Sequence, residues 1–362
     1  MPEPLTRRNA PRPSAAVPRG ILVAVAAAAC SSGSPNAPQT FAFGPFVIQP
    51  SQEISDQCVQ ITLHNADDLY INSVDLETGP GFHHSNWLWV PEHVFPGPHG
   101  IDDCAADDGT YTCADRGFDQ AIAAIYGGVL FAQSTQVQHE VQTFPPGMAV
   151  KIPAHSKLVA TIHLLNPGDQ VLDLSPTITL APIAEAAVTT TLHGIAFENH
   201  ALGLPPNAQS KFTLDCDLAP ADQSPPGNWP TPAFKIYYAL AHYHALGTGL
   251  ELDALEPDDT TSTEVFETTA AIGDSLGGPV DPPFDMTGYT RLRFSCSYYN
   301  DTASVVTWGL GNQEMCVFLA FTDSLYNWGG GETTDEPPGD PTDVDGVMSY
   351  TQPCAVFADP AN

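Results

Sequence analysis

Apolar and polar residues alternate along this chain in short runs, with period two rather than helical spacing. The alternation begins near Phe41 and recurs at 60–63, 86–90, 149–152 and 158–165. Turn clusters such as Gly79-Pro80-Gly81, Pro145-Pro146-Gly147 and Asn166-Pro167-Gly168-Asp169 separate these runs. An Ala-rich stretch at 181–188 follows, and then a second strand series at 212–214, 235–240, 249–252, 291–295, 305–310 and 316–321. Only 117–130 has helical potential, and that is marginal. The pattern predicts an all-β protein of antiparallel sandwiches, with a boundary near residue 185 separating 41–185 from 186–362. The Gly-, Pro- and acid-rich tract 329–345 reads as a solvated loop without calcium-loop spacing.

Composition sharpens this picture. A chain of 362 residues exceeds one ordinary core, and 29 Gly and 35 Pro leave little material for long helices. Arg7, Arg8, Arg12 and Arg19 precede an apolar run at 21–29, so 1–30 reads as an export signal and 31–40 as a flexible tether. Cys30 follows Ala27-Ala28-Ala29 and precedes Ser31-Ser32-Gly33-Ser34, which fits a lipid anchor on a bacterial envelope protein. The alternative is cleavage nearby and release to the periplasm or the exterior. No stretch is long enough for a transmembrane helix.

The formal charge is −31, and without residues 1–29 it becomes −34, with 7 basic against 41 acidic side chains. Such a surface excludes nucleic acid and anionic membranes as partners. Seven cysteines follow Cys30, none in a CxxC pair, so disulfides are expected, with one thiol left over.

The chemistry concentrates in a few residues. In a strand, His242 and His244 project from one face, while Tyr243 points away. Met315, in Gly311-Asn312-Gln313-Glu314-Met315-Cys316, adds a thioether, which reduced copper accepts and zinc does not favour. A disulfide between Cys296 and Cys316 would staple two neighbouring strands and fix the strand of Met315. His83 and His84 are adjacent, so they converge on one ion only at a bend or bulge. Gly79-Pro80-Gly81 supplies a bend just before them. His163 ends the alternation Val159, Thr161, His163 and is the natural third nitrogen. The two groups suggest two separate copper sites. The other histidines receive no role, and no nucleophile elbow, phosphate loop or HExxH helix is present.

In order and spacing, these residues resemble the type II copper, ascorbate-dependent monooxygenases over roughly residues 50–355. Cys58 precedes Phe82-His83-His84, and Thr161-Ile162-His163-Leu164 is similar to the strand bearing the third ligand of the family's first copper. Pro205-Pro206 and Cys216 resemble the opening of its second domain. Ala241-His242-Tyr243-His244-Ala245-Leu246-Gly247 and 311–316 are similar to its HxH and methionine motifs.

The resemblance implies two tandem jelly-roll-like sandwiches with an interdomain cleft. It assigns an electron-storing copper to His83, His84 and His163, and a catalytic copper to His242, His244 and Met315. The implied reaction hydroxylates a substrate C–H bond with O2, with ascorbate or another one-electron reductant as co-substrate. It also implies disulfides Cys296–Cys316 and Cys216–Cys354, and Cys58 with Cys104 or Cys113.

Departures from the family bear on the substrate. Leu240, Val317 and Leu319 stand where the peptide-amidating members carry an arginine, an asparagine and a tyrosine. Without that carboxylate clamp, the expected substrate pocket favours a neutral or apolar small molecule. Two other readings are a non-enzymatic copper-binding or copper-delivery protein and a zinc hydrolase.

Overall fold

The computed structural model describes residues 36–100, 103–219, 230–258, 261–333 and 339–361. The expected export signal, Cys30 and most of the tether lie outside these residues. The all-β expectation holds. The described chain is strand after strand, with one α-helix, Gln120–Tyr126, inside the stretch read as marginally helical. Asp119 caps that helix by accepting the Ile122 N–H at 2.8 Å.

A five-stranded antiparallel sheet carries the first histidines. Its order is Gly109–Thr112, Glu53–Thr62, Ser156–Leu165, Phe82–Pro91 and Gly128–Ala132. It faces strands of a larger sheet, among them Leu69–Glu77, Met148–Ile152 and Thr177–Pro182. Between them lies a core rich in Val, Ile, Leu and aromatic residues. Farther along, Thr190–Glu198, Val317–Thr322 and Lys235–His242 pair in that order. They pack against Ala208–Asp217, Arg291–Asn300 and Gly247–Leu255 over a second core.

The strands Lys235–His242 and Val317–Thr322 are buried on both faces, which is why they read as nearly continuous apolar runs. Their alternate residues serve different cores. Tyr238, Leu240, Val317, Leu319 and Phe321 join the first, while Ala239, Ala241, Phe318 and Ala320 join the second.

Three disulfides are present. Cys216–Cys354 and Cys296–Cys316 form as the resemblance implies. The latter differs in one respect: it joins Arg291–Asn300 to the residue just before Val317–Thr322, two strands that do not pair with each other. Cys58 bonds to Cys113, and Cys104 is the free thiol among the described residues, so assigning Cys104 to a disulfide is corrected. The register explains the choice. Cys58 pairs with Tyr111, which carries Cys113 beside it, while Cys104 sits farther along over Gln60 and Thr62. The tract 329–345 is also not wholly a loop, because Tyr326–Glu332 and Thr342–Val344 are strands.

Candidate metal centre

The adjacent pair converges by the route the sequence required. Along the Ser156–Leu165 strand, His163 opposes His84 and Leu164 opposes Phe82, so His83 is the extra residue of a bulge. Gly81, at φ +89°, makes the bend just before it. His163 lies opposite, on the neighbouring strand. His242 ends its strand, and His244 follows in the turn before Gly247–Leu255.

All five imidazoles meet in one buried cluster. His84 stacks on His242 with ring centroids 4.5 Å apart. His83 lies 4.6 Å from His163 and 4.9 Å from His244. All five histidines are buried, the most exposed being His84 at 8%. The expected division into two separate groups is therefore not a division in space, because both histidine-bearing walls end at the same place. Donor atoms of His83, His84 and His244 fall within 4.8 Å of one another, a set drawn from both groups.

Hydrogen bonds fix which ring nitrogen is available. The His244 Nδ1–H donates to Gln313 O at 2.9 Å, which leaves Nε2 as the lone pair. Thr135 Oγ1 spends its only hydrogen on Tyr243 O at 2.8 Å, so toward His242 Nδ1, at 3.4 Å, it can only accept. His242 Nε2 is then the lone pair. His163 Nε2 donates to Glu53 Oε1 at 2.9 Å, and its Nδ1 accepts from His84 Nε2 at 3.1 Å. Four ring nitrogens remain buried without any partner among the described residues: His83 Nδ1, His84 Nδ1, His242 Nε2 and His244 Nε2. A buried polar atom left unpaired costs on the order of 1–3 kcal/mol. Four in one cluster form a donor set that an ion would satisfy.

Electrostatics keeps these nitrogens unprotonated. Burial, then the neighbouring imidazoles, push His83 down to about 3. His244 falls to about 4, chiefly through burial. His84 and His242 are pushed well below their ordinary value by the same causes. His163 is lowered by burial against the opposing pull of Glu53.

Glu314 gave no signal by spacing, although it lies inside the methionine motif. Its buried carboxylate accepts the N–H groups of His244 (2.8 Å), Leu246 (2.7 Å) and Met315 (3.3 Å). It thereby ties the HxH turn to the methionine. Burial raises its pKa to about 7. Gly311 has φ +65°, and a Cβ there would sit 2.9 Å from Glu53 Oε2, so only glycine fits that turn. Tyr298 donates to Met315 O at 2.6 Å.

Met315 lines a cavity of about 650 Å³ together with His84, His163 and His242. Val317 and Leu319 also line it. Leu240 is a correction: it is buried in the first core beside Leu319 and does not reach the cavity wall. His200, given no role by sequence, does line the cavity. It stacks on Trp308 at 4.0 Å and contacts Glu198 and Glu332. No spacing signal marked it.

No protein-family model and no curated protein matches the chain. Solved structures do. The chain is similar to the major capsid protein P2 of bacteriophage PM2, at 8% identity over 79% of this chain and 97% of that one, with TM-score 0.31. It is also similar to PNGase F, a glycosylasparaginase from Flavobacterium meningosepticum, at 8% identity, 89% and 99% coverage and TM-score 0.34. A triple jelly-roll protein of an archaeal virus matches at 11% identity over 77% of this chain and 59% of that one, with TM-score 0.22. None of these likenesses bears on the histidine cluster.

Proposed function

We propose that this chain is a copper-dependent monooxygenase that hydroxylates a C–H bond of a neutral or apolar substrate, using O2 and ascorbate or another one-electron reductant. The observation that carries the reading is the set of four orphaned, unprotonated ring nitrogens in one cluster, two of whose residues, His84 and His242, line a largely apolar cavity together with Met315. His83 and His84 would hold one copper through their Nδ1 atoms, with His163 beside them, and His242 and His244 the other through Nε2, with Met315. Bound there, copper supplies one-electron chemistry and O2 activation.

The chain's own residues do the rest. Gln313 O and Thr135 Oγ1 hold the second histidine pair in the Nδ1–H form. Glu53 holds His163 in the opposite form. Trp308, Val317 and Leu319 exclude water from the wall where the substrate would sit.

Export completes the proposal. Three disulfides fit an oxidising compartment. No helix among the described residues is long and apolar enough to cross a membrane. An envelope location through a lipidated Cys30 belongs to the same proposal.

One observation favours a second reading, copper binding or delivery without catalysis: the donor set His83, His84 and His244 is compact enough for a single ion. Metal analysis with electron paramagnetic resonance separates the two. Two type II signals per chain, reducible by ascorbate and accompanied by substrate-dependent oxygen uptake, support the monooxygenase. Copper without oxygen uptake across a substrate panel supports the binding protein. One tightly held zinc and no copper defeats both.

A further inference from the structure

The cavity beside the histidines has an internal order that the metal centre does not explain. Its floor is one face of the five-stranded sheet. On the Phe82–Pro91 strand, His84, Asn86 and Leu88 share that face, and on the Ser156–Leu165 strand, His163 and Thr161 oppose His84 and Asn86. Each two-residue step along a strand is about 7 Å. The floor therefore runs from imidazoles, through a polar row about 7 Å away, to an apolar row at about 13 Å. The facing wall steps in parallel from Glu198 and Val317 to Ala196 and Leu319, and then to Gly194. At Gly194 a Cβ would stand 2.7 Å from Val129, so the two walls nearly touch there.

The polar row is prepared for a ligand. Gln120, from the helix, accepts Asn86 Nδ2 at 3.2 Å and Thr161 Oγ1 at 3.4 Å on the same oxygen. No hydrogen bond engages Gln120 Nε2 or Asn86 Oδ1 among the described residues. An N–H donor and a carbonyl acceptor thus keep hydrogen-bonding capacity on two half-buried residues that line the cavity. The wall has no Lys or Arg, and Asp119, Glu198 and Glu332 supply negative charge.

We infer that the site takes an elongated, mostly apolar, uncharged molecule with a carboxamide-like donor–acceptor group about 7 Å from the reacting carbon. This rests on the monooxygenase reading for which end reacts, but the slot's selectivity stands independently. In the metal-free chain a carboxylate would meet no lysine or arginine and the like charges of Asp119, Glu198 and Glu332, and would be desolvated without compensation. A short molecule would fill only the imidazole end of a cavity of about 650 Å³.

The test is calorimetric titration of the whole metal-free chain with decanamide, decanoate and butanamide, with Cu(II) loading measured separately and without reductant. Decanamide should bind at least about tenfold more tightly than either of the others. Gln120→Leu should weaken decanamide about five- to tenfold through the lost amide bonds and leave the decanoate result unchanged. Decanoate binding as tightly as decanamide, or Gln120→Leu leaving decanamide affinity intact, overturns the inference. If the preference persists without copper while copper never loads, the slot stands and the monooxygenase reading falls. Copper loading with no preference among the probes gives the reverse.

Discussion

The two histidine groups are held in different ways. His83, His84 and His163 sit on two strands of one sheet, shaped by a bulge, and their one carboxylate contact is the partly exposed Glu53. His242 and His244 are braced from behind by a buried carboxylate, a backbone carbonyl and a hydroxyl, with a disulfide at the next residue after Met315. The first group depends on sheet register for its geometry, and the second on a polar network. A network of buried hydrogen bonds holds its members rigidly but tolerates loss badly. The second group should therefore be the more easily broken by a single substitution behind it.

The largest effect expected is on turnover. Met315→Ile should reduce hydroxylation below detection while leaving thermal stability and copper at the first group unchanged. Preserved turnover would remove Met315 from the reacting site. Next comes Glu314→Ala, which strands three backbone N–H groups and should cost about 2–4 kcal/mol in urea unfolding. A loss under about 0.5 kcal/mol would mean the network is not what braces the second group. His163→Ala should lose one copper equivalent by elemental analysis, and an unchanged count would take it out of the first site. The smallest effect belongs to Glu53→Gln. Half-exposed and replaceable by a neutral acceptor, it should weaken copper binding by less than about tenfold.

Acid titration sharpens the same contrast in the metal-free protein. The imidazoles have folded pKa values below their ordinary 6.5, so the unfolded chain binds more protons there. Their contribution is intact above about pH 6.5 and declines as the pH falls below it. Glu314 has the opposite sign. Raised from 4.5 to about 7, its contribution is intact below pH 4.5 and is lost as the pH rises to about 7. The stability of the native chain relative to Glu314→Gln should therefore fall across that window. A difference that stays flat would show that Glu314 does not hold its proton in the fold.

Much of this was legible in the sequence wherever one residue's neighbours decide its place. The bend at Gly79-Pro80-Gly81 and the short alternating runs each specify local geometry, whereas the strand argument for His242 and His244 stops at His242, because His244 lies in the turn beyond it. What could not be read depends on register between distant segments. Thr135 reaches His242 across 107 positions, and Glu53 reaches His163 across 110. Whether Cys58 meets Cys104 or Cys113 depends on which segment pairs beside Glu53–Thr62. Leu240 was misplaced because position relative to a motif gives a strand face, while the cavity's edge is set by the strands opposite.

The strands Lys235–His242 and Val317–Thr322 work as a party wall, with each of two rooms furnished from one side of it. The N-terminal half cannot close its own interior, because Tyr238, Leu240, Leu319 and Phe321 belong to it and arrive only with later sequence. During synthesis, that half would emerge with an oily face exposed and wait for its last wall. Only when residues 317–322 have left the ribosome can the five imidazoles meet, so a truncated chain would carry the histidines without forming the cluster.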